Sequence, residues 1–156
     1  MSAASVLDIG LSRYFRKTTM SKVRSVLIVD DSETDTEIAE HYLRASGRFD
    51  HVLTVNDGQE ALELFQHPDT ASQQPGFPPS VVLLDLQMPR MNGFEFLEHF
   101  ASVAERYPDT AIVVMLASQA FDAKLEQAAE SGPVHSHLYK PLTLARAQSL
   151  ADRFAE

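Results

Sequence analysis

Five short apolar runs recur along the chain, and each is followed by a segment in which apolar residues repeat at helical spacing. The runs cover 25–29, 51–55, 81–84, 111–116 and 135–139. Runs of this length, rich in β-branched residues and bounded by turn formers, predict strands that are buried on both faces. The links between the runs are too long for hairpins, so each is expected to be a crossover and the sheet to be parallel.

The helical segments between the strands carry recognisable ends. Ser32 is a predicted N-cap, with Asp35 three residues later in the manner of a capping box, and Gly47 is expected to end the same helix. Segment 68–79 contains four prolines and is predicted to be a polar loop, because proline lacks an amide donor. The third helix is predicted to end near Pro108.

Composition restricts the classes of function. The 156 residues suit one domain with a single core. The net charge of −9 argues against binding nucleic acid through a broad basic surface. The chain has no cysteine, which excludes disulfides, thiolate metal sites and thiol catalysis. No apolar run approaches the roughly 20 residues needed to cross a bilayer, so membrane binding is not expected.

Residues 1–24 differ from the rest of the chain and are expected to be an N-terminal extension to a domain at 25–156. Segment 12–17 is basic, whereas the chain as a whole is acidic. The extension lacks the apolar block and the cleavage site of a secretory signal. Two interpretations remain open: a short amphipathic or disordered arm, or a mis-assigned start, with Met20 as the true first residue.

Charged residues stand where the first, third and fifth strands end: Asp30 with Asp31, Asp85, and Lys140. The carboxyl ends of parallel strands share one edge, where ligands bind, so these residues are expected to converge. A carboxylate there can be a nucleophile, a metal ligand or a helix cap. Three carboxylates about 5 Å apart repel each other by on the order of 3 kcal/mol per pair. A lysine and a hard divalent cation such as Mg²⁺ relieve that repulsion and prepare the site for a phosphoryl group.

These residues resemble the receiver domain of two-component response regulators, over about 25–154. The matching motifs are Asp30-Asp31, Asp85 before Met88-Pro89, Asn92-Gly93, and Lys140-Pro141. The resemblance implies an α/β fold of the flavodoxin-like type: a doubly wound, five-stranded parallel sheet in the order 2-1-3-4-5, flanked by five helices. It also makes the peptide bond before Pro141 a candidate for the cis form.

The resemblance implies roles for individual residues. Asp85 would be the phosphoacceptor and a metal ligand, and Lys140 would pair with the phosphoryl oxygens. Asp31 would bind Mg²⁺ directly, Asp30 mostly through water, and Gln87 through its backbone carbonyl.

The implied partners are a histidine kinase or phosphotransfer protein, as phosphoryl donor, and an unidentified output protein, all in the cytoplasm. Only 16 residues follow Lys140, enough for the last helix but not for an output domain. The chain is therefore expected to be a stand-alone receiver that signals through protein contacts. Its fourth helix, fifth strand and last helix would form the signalling face, through which copies could also associate. No enzymatic activity is expected beyond its own phosphorylation and dephosphorylation.

The chain departs from the family after the fourth strand, where a hydroxyl is usual. Counting back from Lys140 places Ser118 there, as the expected hydroxyl donor, whereas matching the strand end places Ala117 there. The usual aromatic residue of the last strand is His137. These departures leave open a degenerate receiver that docks a partner without phosphorylation. A phosphatase with an aspartate nucleophile is a further alternative, although Gln87 stands where such enzymes carry a second acid.

Other polar residues are expected to be structural. Glu33, Asp35 and Glu37 are predicted to form a solvated first helical turn that favours the helix dipole. His135 and His137 lie two apart on the last strand and are not expected to bind a metal.

Overall fold

The computed structural model describes residues 21–117 and 122–155 of the chain, which contain one five-stranded parallel sheet. The strands are β1 (Val23–Val29), β2 (Phe49–Val55), β3 (Val81–Asp85), β4 (Ala111–Leu116) and β5 (Ser136–Tyr139). Their order is β2-β1-β3-β4-β5, and every neighbouring pair is parallel. All five predicted strands are present, and the predicted doubly wound, flavodoxin-like order is confirmed.

Within the described residues, six α-helices and one 3₁₀ helix follow the strands along the chain. They are α1 (Glu33–Ser46), α2 (Gly58–Gln66), α3 (Pro68–Ala71), α4 (Gly93–Ala101), the 3₁₀ helix (Ala104–Arg106), α5 (Asp122–Ser131) and α6 (Leu144–Phe154). The prediction of five helices was one too few, because α3 is a single turn inside the predicted loop. Its first residue is proline, whose fixed φ suits the start of a helix and whose missing amide donor is not needed there.

The helix after β3 also ends earlier than predicted. α4 stops at Ala101, where the hydroxyl of Ser102 donates a hydrogen bond to the carbonyl of His99 at 2.7 Å. Serine side chains compete in this way with the regular helical pattern. The separate 3₁₀ helix then completes the path that the sequence had suggested was one continuous helix.

The ends of α1 and the bond before Pro141 follow the sequence. The hydroxyl of Ser32 accepts a hydrogen bond from the amide of Asp35 at 3.2 Å. Gly47 follows the helix in the left-handed conformation, with φ of 67°, which glycine adopts at little cost. The Lys140–Pro141 peptide bond is cis, as expected.

The sheet is buried on both faces by different side chains. α2, α4 and α5 cover one face around an aromatic cluster, and α1 and α6 cover the other with mainly aliphatic residues. β3 supplies alternate residues to the two cores, Val82 and Leu84 to the first and Val81 and Leu83 to the second. This double burial is the reason the strand is an unbroken apolar run that ends only at the sheet edge.

Candidate functional site

The three aspartates singled out from the sequence lie together at the carboxyl edge of the sheet. β1 and β3 are neighbours, with Val29 level with Leu84. Asp30 and Asp85, each one residue further along, therefore leave the sheet side by side. One carboxylate oxygen from each of Asp30, Asp31 and Asp85 lies within 4.8 Å of the others.

The three aspartates of the cluster differ in their exposure to solvent, and the cluster is open on the side of Asp31. Asp30 is buried, Asp85 is half-buried and Asp31 is exposed. All the side-chain atoms that could bind a metal here are carboxylate oxygens, the ligand type that Mg²⁺ prefers. A partly exposed site also leaves room for the waters that Mg²⁺ retains. The cluster therefore fits a hard divalent cation.

Lys140 supplies the positive charge at this edge. Its ammonium nitrogen lies 2.8 Å from Asp30 Oδ2, 3.0 Å from Asp35 Oδ2 and 3.6 Å from Asp85 Oδ1. Burial would lower the pKa of the Lys140 ammonium, but the hydrogen bonds to Asp30 and Asp35 outweigh that effect and raise the pKa above its ordinary 10.5. Lys140 is thus permanently charged at neutral pH.

Lys140 does not fully stabilise the negative charge of the Asp85 carboxylate. Burial raises the pKa of its carboxyl group from 3.8 to about 6, and repulsion by Asp30 and Asp31 adds to the rise, while Lys140 and the amide of Gln87 oppose it. The hydrogen bond from that amide is long, at 3.4 Å. A bound cation, or a proton on Asp85, would therefore relieve an unfavourable interaction.

A second ion pair holds the loop that follows Asp85. The buried carboxylate of Asp57 accepts a hydrogen bond from the amide of Glu60 at 2.9 Å and another from the guanidinium of Arg90. The backbone of Arg90 has φ of 64°, which is uncommon for residues other than glycine, aspartate and asparagine. The pair ties the loop after β3 to the start of α2.

Close backbone approaches at two glycines fix the same loop. A Cβ atom on Gly58 would lie 2.8 Å from the carbonyl oxygen of Met91, and one on Gly93 would lie 2.5 Å from that of Asp85. The amide of Gly93 also donates to the carbonyl of Leu86 at 3.1 Å. Neither position accepts a side chain without moving the chain beside the site.

Three residues near the ends of β4 and β5 were singled out from the sequence. Ala117 follows β4 directly and is exposed. Ser118, the predicted hydroxyl donor, lies outside the described residues. His137 is half-buried on β5, with its ring edge-on to that of Tyr139 at 5.6 Å between centroids.

The two histidines of the last strand region are used differently. His135 lies just before β5, and its Nδ1 accepts a hydrogen bond from the amide of Ile112 at 2.9 Å. In the part of the chain that the structure describes, the only group of metal-ligating side chains is the aspartate cluster.

Three residues at this edge were not assigned to the site from the sequence. Asp35 was expected to be solvated, and this was wrong, because its carboxylate binds Lys140. Asp57 carries a signal that could have been used, because an Asp with Glu three residues later is typical of an N-cap. Arg90 gives no comparable signal, because its partner is 33 residues away.

The fold and this edge define a class: a parallel α/β domain with an aspartate cluster and a lysine at the carboxyl ends of its strands. The family model for the response regulator receiver domain matches residues 26–152, so the chain belongs to that family, a signalling module of two-component systems. The response regulator RR06 of Streptococcus pneumoniae is 31% identical over 127 residues, which cover 77% of this chain and 48% of that protein.

Solved structures show the same fold. Chemotaxis protein CheY4 of Vibrio cholerae has a TM-score of 0.65 at 26% identity, covering 85% of this chain and 98% of that one. The receiver domain of the sensor histidine kinase PA1611 from Pseudomonas aeruginosa has a TM-score of 0.64 at 22% identity, covering 85% and 97%. That structure holds a magnesium ion coordinated in its active-site cleft.

The chain spans less than half the length of the curated relatives it matches first, from 12% to 48%. Among the residues described, each helix is too short or too polar to cross a membrane.

Proposed function

We propose that Asp85 accepts a phosphoryl group from a histidine kinase or a phosphotransfer protein, and that the chain passes the signal on through protein contacts. The observation that carries the proposal is the surplus of carboxylates around Asp85, with one shared lysine, at the open edge of the sheet. Such a site can bind a divalent cation, and the cation and the lysine together can then neutralise the negative charge of an incoming phosphoryl group.

The transfer is a displacement at phosphorus. An oxygen of the Asp85 carboxylate forms a bond to the phosphorus of a phosphohistidine as the phosphorus–nitrogen bond breaks, and the histidine leaves with that electron pair and takes up a proton. Because the pKa of Asp85 is about 6, most of the carboxylate is ionised at neutral pH and can attack. The ammonium of Lys140, 3.6 Å from Asp85 Oδ1, would move towards Asp85 to neutralise the phosphoryl oxygens.

Mg²⁺ is the proposed cofactor. Asp31, Asp85 and the backbone carbonyl of Gln87 would hold it directly, and Asp30 mainly through water. When bound, it supplies positive charge for the phosphoryl oxygens. The mutual distances in the aspartate cluster support this assignment.

Ser118 is the proposed hydroxyl donor to the phosphoryl group, and α5, β5 and α6 form the proposed signalling face. We assign 25–156 to the receiver domain and 1–24 to an extension. The partners are a phosphoryl donor and an output protein that the chain itself does not identify, and the chain would turn over no other substrate.

Intact-mass measurement after incubation with acetyl phosphate and Mg²⁺ tests the proposal. We expect one added phosphoryl group in the wild-type protein and none in Asp85→Asn, which keeps the shape of the side chain but removes the nucleophile. EDTA should abolish the reaction. Absence of any added group in the wild type would favour docking without phosphorylation. Steady release of phosphate from small esters would favour a phosphatase.

A further inference from the structure

A fourth carboxylate engages the lysine of the site. Asp35, in the first turn of α1, places Oδ2 at 3.0 Å from Lys140 Nζ, closer than the 3.6 Å that separates Lys140 from Asp85 Oδ1. Lys140 is 16% exposed and Asp35 36%. The ammonium is therefore held by Asp30 and Asp35, on the α1 side of the site, and only loosely by Asp85.

The local structure explains why Asp35 is available. In a complete capping box, the side chain at this position returns to the amide of the N-cap residue. Here the amide of Ser32 already donates to Asp30 Oδ1 at 2.9 Å. Asp35 still gives its own amide to the hydroxyl of Ser32, but its carboxylate has no partner at the helix end and instead reaches Lys140.

The surroundings strengthen this contact. The crevice between Asp35 and Lys140 is lined by apolar side chains, including Ile28, Ile38 and Leu142. Apolar walls lower the local dielectric constant, which makes an ion pair stronger than it is on an open surface.

We propose that Asp35 is a positioning residue that competes with the phosphorylated Asp85 for Lys140. This inference rests on the proposed function. For the ammonium to reach phosphoryl oxygens on Asp85, its contact with Asp35 has to lengthen or break. Asp35 thereby stabilises the unphosphorylated arrangement and weakens the binding of a phosphoryl group or its mimic. A binding-competent arrangement that is only partly populated lowers the apparent affinity by that fraction.

The test measures the affinity of beryllofluoride, a mimic of the phosphoryl group, at saturating Mg²⁺ for each variant. Asp35→Asn removes the charge and keeps the size of the side chain. Glu33→Gln is the matched control, because it removes one charge from the same helical turn at an exposed residue with no contact to Lys140 among the described interactions. We expect Asp35→Asn to bind about three- to tenfold more tightly than the wild type, and the control to change by less than about twofold.

A second measurement, without metal or mimic, tests the pair itself. In EDTA, Lys140→Met should lower the urea midpoint more in the wild-type background than in the Asp35→Asn background. In the wild-type background the substitution leaves the Asp35 carboxylate without its cation, whereas Asp35→Asn has no such carboxylate to lose. Glu33→Gln should not alter the effect of Lys140→Met.

The outcomes separate the two proposals. If the wild type binds beryllofluoride but Asp35→Asn behaves like Glu33→Gln, or binds more weakly, the competition is wrong and the proposed function stands. If the wild type binds no beryllofluoride, the proposed function is contradicted and the competition falls with it. Additive urea midpoints in the cycle would also overturn the role of Asp35.

Discussion

Two cation–carboxylate clusters lie at the same edge of the sheet, and they differ in how well their charges are balanced. In the first, Lys140 is shared among Asp30, Asp35 and Asp85. In the second, each oxygen of Asp57 has its own donor. The first cluster carries more negative than positive charge, whereas the second is a matched pair.

This difference indicates which cluster can change its arrangement and which one holds the structure. Adding a cation, or removing the negative charge of Asp85, relieves repulsion in the first cluster, so its lowest-energy arrangement depends on what is bound. Nothing comparable is gained at Asp57, where both oxygens are already satisfied and the side chain is 3% exposed. The comparison therefore predicts that removing one carboxylate will stabilise the metal-free protein at Asp85 and destabilise it at Asp57.

The largest effect on stability is expected for Asp57→Ala. This change removes the N-cap of α2 and leaves Arg90 without its partner, and should cost about 2–3 kcal/mol, a fall in Tm of about 5–10 °C. Asp57→Asn keeps a good capping side chain and should lose about half as much. Thermal melts in EDTA measure both, and an unchanged Tm for Asp57→Ala would show that the matched pair does not hold the loop.

The next effect, of opposite sign, is expected for Asp85→Asn in EDTA. The folded-state pKa of about 6 lies above the ordinary 3.8, so the folded protein binds this proton more tightly than the unfolded chain does. The stability due to Asp85 is therefore fully present below pH 4 and is lost as the pH rises to 6. Asp85→Asn should be more stable than the wild type by about 1–2 kcal/mol at pH 7.5, after allowance for solvent screening.

The pH profile provides the control for this prediction. Urea unfolding of both proteins from pH 4 to pH 8 should show their difference growing up to about pH 6 and then remaining constant. A variant that is less stable than the wild type at pH 7.5 would mean that the charges around Asp85 are balanced after all.

A smaller effect is expected for Asp31→Ala, and the quantity that it changes is the affinity for Mg²⁺. Loss of an exposed carboxylate from the cluster should weaken Mg²⁺ binding at least about tenfold, equivalent to about 1.4 kcal/mol. The variant should be no less stable than the wild type in EDTA, because repulsion is also removed. Calorimetric titration with Mg²⁺ measures the affinity of each protein. Asp57→Asn is the control, and its affinity for Mg²⁺ should equal that of the wild type. Equal affinities in the wild type and in Asp31→Ala would show that Asp31 is not a ligand of the metal.

The smallest effect concerns Arg90, whose pair is balanced but whose backbone is strained. Arg90→Gly and Arg90→Ala both remove the guanidinium, but glycine adopts φ of 64° at little cost, whereas alanine adopts it only with strain. Arg90→Ala should therefore be less stable than Arg90→Gly by about 1 kcal/mol. Equal urea midpoints for the two variants would show that the loop relaxes when the ion pair is lost.

The sequence was sufficient to predict the unbalanced cluster in outline. Each of Asp30, Asp85 and Lys140 stands at the end of an apolar run, and the geometry of a parallel sheet brings such ends to one edge. Nothing about the intervening loops was needed. The strand order followed from the resemblance, and the structure confirms it.

The contacts of Asp35 and the matched pair could not be predicted in the same way. Whether Asp35 faces solvent or Lys140 depends on the placement of a residue 105 positions away and on the capture of the Ser32 amide by Asp30. The pair of Asp57 with Arg90 depends on a left-handed residue in a loop. The extra turn of α3 was missed because proline was interpreted only as a helix breaker.

The most direct test of the account is the hydroxylamine-labile phosphate formed with acetyl phosphate and Mg²⁺ in wild type, Asp85→Asn and Asp57→Asn, compared at a temperature where all three are folded. We predict one labile phosphate per molecule in the wild type and in Asp57→Asn, and none in Asp85→Asn. Labile phosphate on Asp85→Asn at the wild-type rate would contradict the assignment of Asp85 as the phosphoacceptor.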